Sequence, residues 1–153
     1  MHIQSKMSCG RLHVCRVDHN TVAVSFNKNI KLVSVSNTLT PLSSISVGHS
    51  CYGIASYQQN IIVDIVGDGE RDSLFTYDSS GKIINTIESY DHLRSPFNTH
   101  CVSLDGQKIY YTMINNIVTM DMKGNKLNIF ESNDLKGTRG ISVDNNGIVY
   151  CWL

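Results

Sequence analysis

Apolar and polar residues alternate with a period of two along much of the chain, in short runs broken by turn-forming residues. The clearest case is Thr138–Cys151, TRGISVDNNGIVYC, where Ile141 and Val143 alternate with polar neighbours. Asp144-Asn145-Asn146-Gly147 then supplies a tight turn, and a second apolar run begins at Ile148. Two such runs joined by residues that tolerate positive φ predict a β-hairpin. The pattern recurs. Cys15, Ile54, Val102 and Ile141 head four copies read without gaps, followed seven residues on by Val22, Ile61, Ile109 and Ile148. Nine residues on from the heads stand Val24, Val63, Tyr111 and Tyr150.

A second hairpin repeats between these. Asp78, Gly81, Glu88 and Ser89 recur 43 residues later as Asp121, Gly124, Glu131 and Ser132. Four strands in each unit of roughly 40–45 residues is the spacing of a β-propeller blade. The predicted fold class is therefore all-β: a partial, open β-propeller of four-stranded antiparallel blades. A lead-in covers residues 1–11, blade one 12–47, blade two 51–89 and blade three 98–132; 138–153 forms the first half of a fourth blade. Asp105-Gly106 is the sharpest short-range turn signal, and Pro96 interrupts pairing in the link to blade three. Closed propellers have about four to eight blades, so the chain reads as a fragment of a ring. Its open strand edges are expected to pair with further blades or with another chain.

Composition narrows the function. With 13 basic and 13 acidic side chains, the chain carries no broad basic field of the kind nucleic acids attract, although a local patch remains compatible with the balance. No apolar run approaches the roughly 18–20 residues of a membrane span, so no membrane partner is expected. The N-terminus MHIQSKMSCG has no signal-peptide core, and no Asn-x-Ser/Thr acceptor occurs, which points to the cytoplasm. The five cysteines (Cys9, Cys15, Cys51, Cys101 and Cys151) form no Cys-x-x-Cys pair. They read as buried thiols acting as small hydrophobes rather than as metal ligands. No metal or other cofactor is expected.

The run Arg139-Gly140-Ile141-Ser142-Val143-Asp144-x-x-Gly147-x-x-Tyr150 resembles the NHL repeat of tripartite-motif (TRIM) proteins. Phe75-Thr76-Tyr77-Asp78-x-x-Gly81 and Val118-Thr119-Met120-Asp121-x-x-Gly124 are similar to its second half. The likeness spans residues 12–153 and is weakest in the first copy; Val14 and Cys101 stand where the family has glycine, and Tyr57 where it has aspartate. WD40 and kelch repeats fit less well, since no Trp-Asp pair and no Gly-Gly pair occurs. The resemblance implies an NHL-like propeller serving as the substrate-recognition end of a ubiquitin ligase. The catalytic RING and B-box zinc modules of that family have no counterpart in this sequence.

Candidate chemistry is sparse. Asp64–Glu70, DIVGDGE, has acidic oxygens but not the alternating ligands of an EF-hand, so a solvated turn is the simpler reading. A calcium-dependent propeller lactonase or hydrolase would ring its channel with groups such as Asp64, Asp68, Asn98 and Asn115, and a ligand-free structural fragment is a further alternative. Calcium added during thermal melting separates an ion-dependent enzyme from a binding module. The leading expectation is a non-enzymatic module that recognises protein, with single-stranded RNA as a second ligand class. In an up-and-down blade, the links between blades and the turns between strands two and three emerge on one face. That face collects His49, Tyr52, Arg71, Arg94, Asn98, His100, Asn115, Asn116, Lys136 and Arg139, a mix of cations, amides and aromatics.

Overall fold

A computed structural model describes residues 13–66, 73–88, 99–113 and 115–152. Among the described residues, fourteen strands form three four-stranded antiparallel sheets and one two-stranded sheet, each in simple up-and-down order. Sheet 1 contains β1 (His13–Arg16), β2 (Thr21–Phe26), β3 (Asn29–Val35) and β4 (Leu39–Ser46). Sheet 2 contains β5 (Ser50–Tyr57), β6 (Asn60–Val66), β7 (Ser73–Tyr77) and β8 (Ile83–Glu88). Sheet 3 contains β9 (His100–Val102), β10 (Lys108–Thr112), β11 (Asn116–Asp121) and β12 (Lys126–Glu131), and sheet 4 contains β13 (Gly140–Val143) and β14 (Val149–Trp152). The first strands adjoin in succession, β1 to β5, β5 to β9 and β9 to β13, so the sheets stack as an arc. This is a partial, open β-propeller.

The stacking shows in the sequence of β6. Ile61, Ile62, Val63, Asp64 and Ile65 are all buried, because sheet 2 is covered on both faces. Ile61, Val63 and Ile65 join Ala23, Ile30, Leu32 and Ile45 of sheet 1 in one core. Ile62, Leu74 and Ile87 join Val102, Ile109, Tyr111, Val118 and Met120 of sheet 3 in another. A fully buried isoleucine contributes about 1.5–3 kcal/mol, so these two seams hold the arc together. The outermost strands β4, β8 and β12 are mostly exposed. Pro41 sits in β4 opposite Val33, beside a register shift, on an edge where its missing N–H leaves no ladder bond unmade.

The aspartate turns link neighbouring sheets. Asp78 accepts from the Ser80 and Lys82 amides, and Asp121 from those of Lys123 and Asn125. Each turn then places a glycine at positive φ, Gly81 and Gly124. A Cβ on Gly124 would lie 2.4 Å from Ile87 of sheet 2, and Gly81 abuts Ile45 of sheet 1 in the same way. The 43-residue repeat is thus a recurring inter-sheet contact as well as a turn.

The hairpins are less alike than their spacing predicts. Cys15 pairs with Ala23, Ile54 with Val63, Val102 with Ile109 and Ile141 with Cys151, separations of 8, 9, 7 and 10 residues. Turns of different length shift the register, and a one-residue slip reverses the face a side chain occupies. Cys15 therefore packs toward sheet 2, whereas Ile54 and Val102 face the sheet before their own. In sheet 1 the residues on that preceding side are Val14, Arg16, Val22 and Val24. In sheet 4, Ile148 and Tyr150 are exposed instead of buried like Ile109 and Tyr111.

Sheet 2 turns through Gln58 and Gln59, both at positive φ (48° and 65°), between Tyr57 and its partner Asn60. A two-residue hairpin turn of this kind favours Asn-Gly. Left-handed backbone costs an ordinary residue about 1–2 kcal/mol. Changing Gln58→Asn and Gln59→Gly together should stabilise the chain by about 1 kcal/mol and raise its melting temperature by about 2–4 °C. An unchanged or lower melting temperature would show that the turn has another geometry.

Candidate functional site

The linker face forms as the up-and-down topology requires, wherever its residues are described. After β4 the chain is laced to its own β2–β3 turn: the Val47 amide donates to the Lys28 carbonyl (2.9 Å) and the Cys51 amide to the Asn27 carbonyl (2.8 Å). After β12 the same arrangement recurs, with the Ser132 amide donating to the Asn115 carbonyl at 3.2 Å. Connectors and turns thus share one end of the arc.

The connector between sheets 3 and 4 presents its cations by local packing. Ser132 caps a short 3-10 turn, Asn133–Leu135, by accepting from the Asp134 amide. Leu135 and Thr138 are buried, and the Thr138 hydroxyl donates to the Leu135 carbonyl at 2.7 Å. Lys136 and Arg139 between and beyond these anchors are exposed, so their charges stand outward from a fixed backbone. Asn116 is half-buried, and its carbonyl accepts from the Met113 amide. Asn115 has a buried Oδ1 that accepts no hydrogen bond from the described residues. His49 is exposed after Gly48, while Tyr52 is half-buried and its carbonyl accepts from the Ser25 hydroxyl across the first seam. Arg71, Arg94 and Asn98 lie outside the described residues, as do Asp68 and Glu70.

His100 does not join this surface. Its ring is buried against sheet 2, where Nε2–H donates to the Ile62 carbonyl at 3.1 Å. Burial drives its pKa down to about 4, only partly opposed by that bond, so the imidazole is neutral near pH 7. It is a packing residue with a satisfied polar edge. Its alternation with Val102, and its pairing with Tyr111 on the same buried face, are the reason.

The opposite end of the arc carries five turn aspartates, Asp18, Asp78, Asp105, Asp121 and Asp144. Their carboxylates are occupied within their own turns. Asp78 is held below the usual carboxylate range first by the Ser80 hydroxyl, Asp105 by the Ser103 hydroxyl and Asp121 by the Asn125 amide. Asp18 and Asp144 are lowered first by the backbone amides of Asn20 and Ile148. Asp144 also accepts from the Tyr150 hydroxyl at 3.1 Å. Three thiols are equally committed to packing: burial raises Cys15 and Cys51 to about 11 and Cys101 to about 12, and Cys9 lies outside the described residues. Such thiols are protonated and poorly nucleophilic near neutrality. Among the described residues no three His, Cys, Asp or Glu side chains gather as a metal site would require. Asp64 is buried within β6 opposite Leu74, on the sheet-3 side. No described helix is long and apolar enough to cross a membrane.

No protein-family model matches the sequence, and no curated protein matches it. Solved structures do match the fold. One is a protein of unknown function from Bacteroides caccae, with TM-score 0.67 and 13% identity, covering 90% of this chain and 51% of that one. Kuenenia stuttgartiensis hydrazine synthase gives TM-score 0.63 and 18% identity over 96% of this chain and 44% of its own. The WD40 β-propeller domain of Doa1 gives TM-score 0.65 and 15% identity over 91% of this chain and 46% of its own. This chain spans about half the length of these structures. At such identities the likeness is one of fold, and it confirms propeller-type sheets.

Proposed function

We propose that the chain is a non-catalytic recognition module that binds protein partners through its linker face. Lys136 and Arg139 are the principal contacts, flanked by His49, Asn115 and Asn116. The observation that carries this reading is the connector after sheet 3, where buried Leu135 and Thr138 fix the backbone and leave the two cations exposed. Loops held by a rigid scaffold are the usual site of function, and a backbone already fixed loses little freedom when cations it carries meet an acidic partner. By its resemblance to NHL repeats, the module would act as the substrate-recognition end of a TRIM-type ubiquitin ligase, with the transfer chemistry supplied outside this segment.

The test uses peptides selected against the chain from a random display library. Lys136→Glu with Arg139→Glu should weaken the selected peptides by about tenfold or more, equivalent to about 1.4 kcal/mol. Asp18→Asn, at the opposite end of the arc, should leave affinity unchanged. Equal binding by the double variant would remove the linker face as the contact. Selective binding of an oligouridylate with a steep fall in affinity as salt rises would instead assign the face to single-stranded RNA.

A further inference from the structure

The Asp-x-x-Gly turn forms three times among the described residues with the same set of bonds, and one of the three differs in chemistry. In each, the aspartate carboxylate accepts two backbone amides and the aspartate amide donates to the carbonyl four residues on. The glycine amide donates back to the aspartate carbonyl. The residue before the glycine is Ser80 in the first turn, Lys123 in the second and Asn146 in the third. Asn146-Gly147 is the only Asn-Gly pair in the sequence. The surroundings differ too. Gly81 and Gly124 abut Ile45 and Ile87 of the preceding sheets, whereas a Cβ on Gly147 would meet nothing within 4 Å. Asn145, Asn146 and Gly147 are all exposed, in the turn of the two-stranded sheet.

That combination sets up an intramolecular reaction. The electrophilic carboxamide carbon of an asparagine can close a five-membered ring with the nitrogen of the next residue, which chain connectivity holds beside it. Glycine leaves that nitrogen unhindered because it has no Cβ. We propose that Asn146 is a self-modification site, converting in water to isoaspartate and aspartate through a cyclic imide with Gly147. The Gly147 nitrogen loses its proton to hydroxide and bonds to Cγ of Asn146. The Cγ–Nδ2 bond breaks, and ammonia leaves with a proton taken from solvent. Water then adds to one of the two imide carbonyls. Opening at the main-chain carbonyl gives isoaspartate, with the chain running through Cβ and Cγ, and opening at Cγ gives aspartate. The sum is one water taken up and one ammonia released, with no oxidant or reductant.

The bond from the Gly147 amide to the Asp144 carbonyl, 3.0 Å long, must open first. A glycine that abuts no neighbouring sheet lets its turn open locally at low cost. Asp105-Gly106, which could form the same imide, is protected on both counts. The Tyr57 ring fills the space a Cβ on Gly106 would take, and the Ser103 hydroxyl helps keep the Asp105 carboxylate ionised, a poor electrophile. Conversion at Asn146 has two consequences. It sets a second carboxylate beside that of Asp144, to which the Asn146 side chain donates in the unconverted turn. In the isoaspartyl form it also lengthens the backbone by one carbon between Asp144 and Ile148, the stretch those bonds span. The hairpin then loosens at β14, which carries Trp152, the single tryptophan of the chain. The linker face takes no part, so this site and partner recognition stand or fall separately.

Incubation of the 153-residue chain at mildly alkaline pH, followed by trypsin and mass spectrometry, decides the matter. Cleavage after Arg139 releases residues 140–153. That fragment should give way to two products, each with OH in place of NH2 at position 146, at a rate that rises with hydroxide. Asn146→Gln, whose imide would need a six-membered ring, should lose both products. Trp152 emission should shift to longer wavelength as isoaspartate accumulates. Asn146→Asp, which adds the charge on a normal backbone, should not reproduce that shift. A folded chain that stays unconverted while the free 140–153 peptide converts would overturn the proposal. So would conversion spread equally over the other asparagines. An isoaspartyl chain with unmodified emission would overturn the effect on the hairpin.

Discussion

Truncating Ile62 to alanine should cost about 2–5 kcal/mol, against a total stability of about 5–15 kcal/mol for a domain of this kind. Ile62 is 1% exposed, lies mid-way along β6, and belongs to the core shared by sheets 2 and 3. Its backbone carbonyl also receives the His100 Nε2–H bond, which holds β9 against β6. Removing the side chain leaves a void between two stiff sheets, where collapse would strain both ladders, so most of the cavity term should persist. Ile83→Ala on β8 is the matched control. That side chain is 48% exposed on an outer strand, and its loss should cost well under half as much. Urea denaturation of both variants reads the difference. Equal costs would mean that sheets 2 and 3 do not stack, and the arc would have to be abandoned.

The stacked architecture was largely legible because its signals are local. Asp105-Gly106, Asp144–Gly147 and the two Asp-x-x-Gly turns each fold through bonds within a few residues, such as Asp144 accepting from the Asn146 and Ile148 amides. Period-two alternation placed the strands between them. Register was not legible to the same degree. A gap-free alignment equates Cys15 with Ile54 and Ile148 with Ile109, but the turns differ in length, so the pairing separations run from 7 to 10 residues. A residue's face depends on which partner it meets across the ladder, and the strand's own sequence does not record that.

The candidate surface was legible as a topological consequence and much less as a set of side chains. Up-and-down connectivity alone puts Lys136, Arg139, His49 and Asn116 at one end. Exposure then depends on the neighbouring sheet: His100 sits at the same end in sequence order, yet sheet 2 covers it. Which side chains line the exposed faces at the two ends of the arc depends on register in the same way. Val22 and Val24 look like ordinary core residues in the sequence, yet no described sheet covers the face they share. Trp152 reads as a strand residue, and only the Gly140 opposite it shows that its indole lies over the backbone there.

Substituting Gly106 by alanine should destabilise the chain by about 2–4 kcal/mol, a large effect for one added methyl group. Gly106 has φ +68°, where a Cβ costs about 1–2 kcal/mol through backbone sterics alone. The new Cβ would also lie 2.2 Å from Cε1 and Cζ of Tyr57, so the ring must leave its place. Moving it breaks the hydrogen bond from the Tyr57 hydroxyl to the Asp105 carbonyl, 3.0 Å long, worth about 0.5–1.5 kcal/mol. The reduced freedom of the unfolded chain returns only about 0.4–1 kcal/mol. The two contributions separate in a Tyr57→Ala background: the ring is gone, the steric part vanishes, and Gly106→Ala should cost only the backbone part. A coupling of about 1 kcal/mol or more between the two substitutions would locate this turn against sheet 2. Strict additivity would mean that tyrosine at position 57, where the other hairpins have aspartate, makes no contact with the turn of the next sheet.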